Sequence, residues 1–325
     1  MIKRPLINII PLTAVAVVGL LLGGCTTPDL KPFADSTASL HHAMTQSQSI
    51  IRSEIGNIQQ AGELTHPDKV AAAKASLDKA FDARVAFMVA VVNYSDSLAA
   101  VAAAGNSGRT NMQALGKSIE QLANMAGPYG AAVAGGTEIA SQVYQLISQA
   151  VAVHTLRQAT TKMDPGIQRA AVLMAMDMTN VRNILIAGDG ELSAALKNPY
   201  LDDLALRNRL RSIRQTEVEQ IHENLDTNNY LDKLTEYSQK LGKLDDLLTQ
   251  MDKWYLPLQA QQAQNHQRFA MEEDLVNHTI QGFQQWAKAD ADLTKALQDN
   301  RQPNISELVN TVLEIKTEIE TLKNH

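Results

Sequence analysis

Residues 234–258 read LTEYSQKLGKLDDLLTQMDKWYLPL. Leu234, Tyr237, Leu241, Leu244, Leu248, Met251, Tyr255 and Leu258 alternate spacings of three and four without a miss. That alternation puts all eight on one stripe of a helix and is the seam of a coiled coil. A second seam closes the chain at Ile305, Leu308, Val312, Ile315, Ile319 and Leu322. The same period recurs upstream at Leu40, Met44, Ser47, Ile51, Ile55 and Ile58, and at Ile167, Ala171, Met174, Met178, Val181 and Leu185. No stretch alternates apolar and polar residues with strand-turn chemistry, and no repeat of solenoid length occurs. The pattern predicts an all-α protein, an elongated bundle of long antiparallel helices with coiled-coil-like seams.

Proline and glycine mark the expected helix ends. A first helix is predicted from near Ser36 to Gly62, and a second from Pro67 to Ala104. Gly105-Asn106-Ser107-Gly108 reads as a turn, followed by helices at about 111–125 and 128–162. Asp164-Pro165 predicts a new helix start, since Asp caps well and Pro fits a first turn. Gly188-Asp189-Gly190 reads as the strongest turn, and Asn198-Pro199 as a restart. Pro257 is expected to kink or divide a helix, and Pro303 to open the last one. Charged residues are sparse before Gly190 and dense after it. The expected division is therefore a charge-poor helical bundle over 33–190 and a charge-rich, coiled-coil-like region over 191–325, separate or continuous.

Composition supports helices. Hydrophobic residues are 45% of the 325, aromatics only 4%, and Ala, Leu and Gln abound. The net charge is −6, and a mildly acidic chain without clustered Lys and Arg is a poor partner for nucleic acid.

The N-terminus carries the most specific signal. Met1 to Arg4 is short and basic, Leu6 to Leu22 carries no charge, and Leu22-Gly23-Gly24-Cys25 follows. A basic end, an apolar core and a small-residue cleavage site mark a secretory signal peptide. Pro5 and Pro11 disfavour a straight membrane-spanning helix. This stretch resembles the precursor of a bacterial lipoprotein, whose lipobox is a Leu, two small residues and a Cys. The resemblance implies a signal peptide over 1–24 and cleavage before Cys25. It implies diacylglycerol on the Cys25 thiol and an acyl chain on its amine. Thr26, where Asp would favour the inner membrane, implies an outer-membrane, periplasm-facing location. Residues 25–32 then form a tether. Two or three acyl chains anchor stably, whereas one holds weakly. Cys25 is the chain's only Cys, so the mature body forms no internal disulfide.

Other candidates are weaker. Glu63-x-x-His66 and Glu219-x-x-His222 have the spacing that puts a carboxylate and an imidazole on one helix face, and two such pairs build di-iron sites in bundles. Glu63 and His66 straddle a predicted break, and Glu219 and His222 sit in a polar stretch, so solvated faces explain both. His41 and His42 are adjacent and diverge on a helix; His154 reads as a core or boundary residue. Met174 and Met178 share a face, with Met176 elsewhere, as core filling requires. Between Ser97 and Thr161 the charges are Arg109, Lys117, Glu120, Glu138 and Arg157, and small residues fall four apart at Ala99/Ala103, Ala131/Gly135 and Ala132/Gly136. Such a stretch suits the middle of a bundle, or a hairpin of the pore-forming kind over about 85–153. Asp96, Glu138, Gln142, Gln145 and Gln149 oppose insertion. No nucleophile motif or phosphate loop occurs.

No catalytic, cofactor-binding or metal residue is therefore assigned. The expectation is a membrane-anchored, non-catalytic envelope lipoprotein acting as a scaffold, adaptor or assembly factor. Cys25 is its lipidation site, and a protein partner, or another copy of the chain, its binding target. The alternatives are a membrane-active helical protein and a metal-dependent helical-bundle enzyme.

Overall fold

A computed structural model describes residues 28–60, 64–105, 109–125, 127–133, 140–141, 152–223 and 230–324. The helices are α1 Lys31–Gln60, α2 Pro67–Ala104, α3 Arg109–Ala123, α4 Pro128–Ala132, α5 Ala152–Lys197, α6 Leu201–Glu223, α7 Tyr230–Asp299 and α8 Ser306–Lys323. A 3-10 turn, Asn198–Tyr200, joins α5 to α6. No strand occurs among the described residues, and the protein is an all-α bundle.

The described residues form two compact units, and α1, α2, α5, α7 and α8 each contribute residues to both. The first unit takes its residues from 1–38, 89–170 and 285–308. Its core includes Leu30, Phe33, Tyr94, Leu98, Leu115, Ile119, Leu156, Trp286, Leu293 and Leu297, all essentially inaccessible. Within it α2 and α3 run antiparallel: Asn111 Nδ2 donates to Ala100 O at 2.9 Å, and Asn93 Nδ2 to Gln121 Oε1 at 3.4 Å. The same holds for α5 and α7, where Arg157 Nε donates to Leu297 O at 2.6 Å and Gln168 Nε2 to Ala287 O at 2.8 Å.

The second unit takes its residues from 39–88, 171–284 and 309–325. Leu40, Met44, Ile51, Phe81, Met174, Met178, Leu275, Phe283, Ile315 and Ile319 fill its core. Gly282 lets α7 approach its neighbours: a Cβ there would stand 2.8 Å from Leu40 Cδ1 and 3.3 Å from Ile315 Cδ1. Both seams are used internally. Leu308, Val312, Ile315, Ile319 and Leu322 are buried. The described positions of the 234–258 seam are half-buried, with Leu258 fully so. This seam belongs to an antiparallel pair with α6: Arg207 Nη2 lies 2.6 Å from Asp252 Oδ1, and Arg214 Nε 2.5 Å from Asp245 Oδ1. Seven residues forward on α6 match seven residues back on α7, as a heptad seam requires.

Several expected boundaries move. Pro28 and Leu30 are buried, and α1 begins at Lys31, so the tether does not extend to residue 32. Asp29 Oδ1 accepts from Lys31 N at 2.9 Å and starts the helix earlier than Ser36. Asp164-Pro165 does not start a helix; Pro165 lies inside α5. Met163 and Ile167, both 1% exposed, carry the buried stripe across the proline, and packing overrides the local signal. Gly188-Asp189-Gly190 is helical as well. A Cβ on Gly188 would stand 2.7 Å from Ile58 Cδ1, so this glycine serves close packing, not a turn. Pro257 lies within an unbroken α7. The division expected near Gly190 does not coincide with the units, because Gly190 sits inside α5 and inside the second unit.

Candidate functional site

The residues singled out by spacing do not come together. Cys25 and Glu63 lie outside the described residues. His66 instead meets Glu191, which is 125 positions away: Nδ1 and Oε1 are 2.7 Å apart. Glu219 and His222 are exposed on α6, where Glu219 Oε1 accepts from Gln215 Nε2 at 2.8 Å. His42 is exposed, and burial holds the half-buried His41 below the usual imidazole range. His154 is exposed rather than part of the core. Among the described residues no group of three or more His, Cys, Asp or Glu could hold a metal ion. Met174 and Met178 are buried and Met176 is 59% exposed, as their spacing predicts. Arg84 Nη1 reaches Met178 Sδ at 2.7 Å, and its guanidinium lies over the Phe81 ring at 4.6 Å.

In the low-charge stretch, Leu98, Val101, Met112, Leu115, Ile119, Leu122, Leu156 and Ala159 are buried in the first unit. Glu138, Gln142, Gln145 and Gln149 lie outside the described residues. By length and composition, α2 and the run His154–Glu223 are apolar enough to cross a membrane; half of the apolar window of α2 is buried within the fold.

Two polar clusters carry the strongest electrostatic perturbations. In the second unit Glu54 and Glu272, 7% and 0% exposed by side chain, share the guanidinium of Arg268 at 3.0 and 3.2 Å. Burial, then the Glu54 charge, pushes the Glu272 carboxyl up to about 8, against the pull of Arg268. In the first unit Trp286, Asp290 and Thr294 follow one another at four-residue spacing on α7, facing one side. The Trp286 Nε1, both Asp290 oxygens, Thr294 Oγ1 and Tyr94 OH are buried without a hydrogen-bond partner among the described residues. Burial, then the Asp164 charge, raises Asp290 well above the carboxylate range. Burial, then the charges of Asp290 and Asp164, likewise raises the Tyr94 phenol.

A cavity with a mostly apolar lining lies in the second unit, between α1, α2 and α5. It measures about 310 Å³ and is walled by Ile55, Ile58, Val70, Ala73, Ile184 and Ala187. The exposed His66, Lys69 and Asn183 and the half-buried Glu191 supply its polar lining and form its mouth. Glu191 Oε2 accepts from the backbone N–H groups of Thr65 and His66, both at 3.2 Å. With the imidazole on Oε1, three donors hold Glu191 below the usual carboxylate range, the His66 side chain first. These bonds tie the start of α2 to α5 and fix the mouth. Helical spacing hid this site, because Glu191 and His66 meet only through the fold. The paired Thr65-His66-Pro67 and Gly188-Asp189-Gly190 segments are its only trace in the sequence, and both read there as chain breaks.

Comparison with protein families, with curated proteins and with solved structures finds no match to this chain.

Proposed function

We propose that this chain is a lipid-anchored envelope lipoprotein of the outer membrane, facing the periplasm. Its helical body acts without chemistry of its own, as a scaffold, adaptor or assembly factor. The observation that carries the reading is Leu22-Gly23-Gly24-Cys25, with the chain's only Cys at the position that lipidation uses. The fold adds support through distance. Pro28 is buried in the first unit, three residues after Cys25, and three residues reach about 10 Å at full extension. Acyl chains on Cys25 would therefore hold the first unit against the bilayer surface. A body built from helices whose seams are satisfied internally leaves its exposed faces for partners.

Fractionation with fatty-acid labelling tests the anchor. Wild type should take up label and sediment with the outer membrane; Cys25→Ser should do neither. Crosslinking in intact cells tests the adaptor role. A discrete adduct from wild type that is lost in Cys25→Ser is expected, and monomer alone in both would count against it.

A further inference from the structure

We propose that the cavity between α1, α2 and α5 of the second unit binds a single-chain amphiphile, with its apolar tail on the floor and its anionic head at Lys69. The inference does not rest on the lipid anchor. The cavity volume of about 310 Å³ lies at the lower end of the ~300–1,000 Å³ typical of ligand pockets. The side chains of Ile55, Ile58, Val70, Ala73, Ile184 and Ala187 offer no polar atom and outnumber the one amide beside them, Asn183, so an apolar guest gains most by entering. Gly188 keeps α5 near Ile58 without a side chain of its own to fill the space.

Polarity at the mouth selects the head group. Glu191 is a poor partner for a cationic head, because its two oxygens already accept from Thr65 N, His66 N and the His66 ring. Lys69 is exposed, lines the same mouth, and its ammonium meets no carboxylate among the described residues. An ammonium beside an apolar hole favours a carboxylate or another anion carried on an alkyl chain.

The test uses the mature chain carrying Cys25→Ser, which keeps every described residue and removes any acyl group of its own. Octanoate and octan-1-ol are titrated separately, with the δ1-methyl groups of Ile55, Ile58 and Ile184 observed by NMR. Both probes should shift these methyls at one site. Lys69→Gln should weaken octanoate about tenfold and leave octan-1-ol unchanged. Ala73→Phe, which fills the floor, should abolish both without lowering the melting temperature. If Ala73→Phe fails to fold, the methyl shifts of the unfilled protein still decide. Absence of saturable shifts at Ile55, Ile58 and Ile184 overturns the proposal. So does binding that survives Ala73→Phe in a folded protein, or an equal loss of both probes in Lys69→Gln.

Discussion

Glu54 on α1 and Glu272 on α7 hold the same guanidinium: Arg268 Nη2 stands 3.0 Å from Glu54 Oε2, and Arg268 Nε 3.2 Å from Glu272 Oε1. One cation cannot balance two buried carboxylates, so the more buried of the two, Glu272, keeps its proton up to about pH 8. The unfolded chain releases that proton near 4.5, so between pH 4.5 and about 8 the native state binds more protons and stability falls as pH rises. Glu272→Gln removes the penalty, while Arg268 retains Glu54. The expected result is a gain of ~1–4 kcal/mol at pH 8 and little change at pH 4, read from denaturant unfolding at both values. A loss at pH 8 would contradict the assignment.

Asp290 obeys the same sign in the first unit. Its folded pKa lies well above the model-peptide value of 3.8, so it destabilises progressively as pH rises above that value. Asp290→Asn should raise the melting temperature at pH 7 and leave it unchanged near pH 3. Tyr94→Phe, which deletes a buried hydroxyl without a partner among the described residues, should cost less than ~1 kcal/mol or stabilise. A cost of several kcal/mol would show that the hydroxyl is bonded in solution.

Arg207 and Arg214 form the two rungs between α6 and α7, but they are not equivalent. Arg207 is 3% exposed, donates to Asp252 and lies 3.4 Å from the Tyr255 ring centroid. Arg214 and Asp245 are 43% and 50% exposed by side chain. Arg207→Ala should cost ~1–3 kcal/mol, since it loses packing as well as a charged hydrogen bond. Arg214→Ala should cost less than Arg207→Ala, because water screens the exposed pair. Hydrogen exchange of α6 amides measures both, and equal effects would contradict this ranking.

Leu30 separates a packed N-terminal segment from a tether. It is fully buried, so Leu30→Ala should cost ~2–5 kcal/mol, whereas a tether residue would cost less than ~0.5 kcal/mol. Thermal unfolding of the two proteins decides between them.

Helical period was legible because it needs only local spacing. Leu308, Val312, Ile315 and Ile319 recur at three and four, and each is buried. Pro67 and Pro128 stand at the first positions of α2 and α4, as their missing N–H groups allow. Pro165 and Gly188 misled, because long-range packing decides whether a helix tolerates them. Gly188 meets Ile58, 130 residues earlier in the chain, and no local pattern encodes that contact. The candidate site was illegible for the same reason. His66 lies three residues after Glu63 but bonds to Glu191, and Arg268 is separated from Glu54 by most of the chain.

Intact-mass and peptide mass spectrometry of protein purified from membranes of its own cells reads the state of Cys25. The account predicts a mature N-terminus at Cys25, with the mass of a thioether-linked diacylglycerol and an amide-linked acyl chain on that residue. A chain that still begins at Met1, or an N-terminal Cys25 with an unmodified thiol, would contradict it.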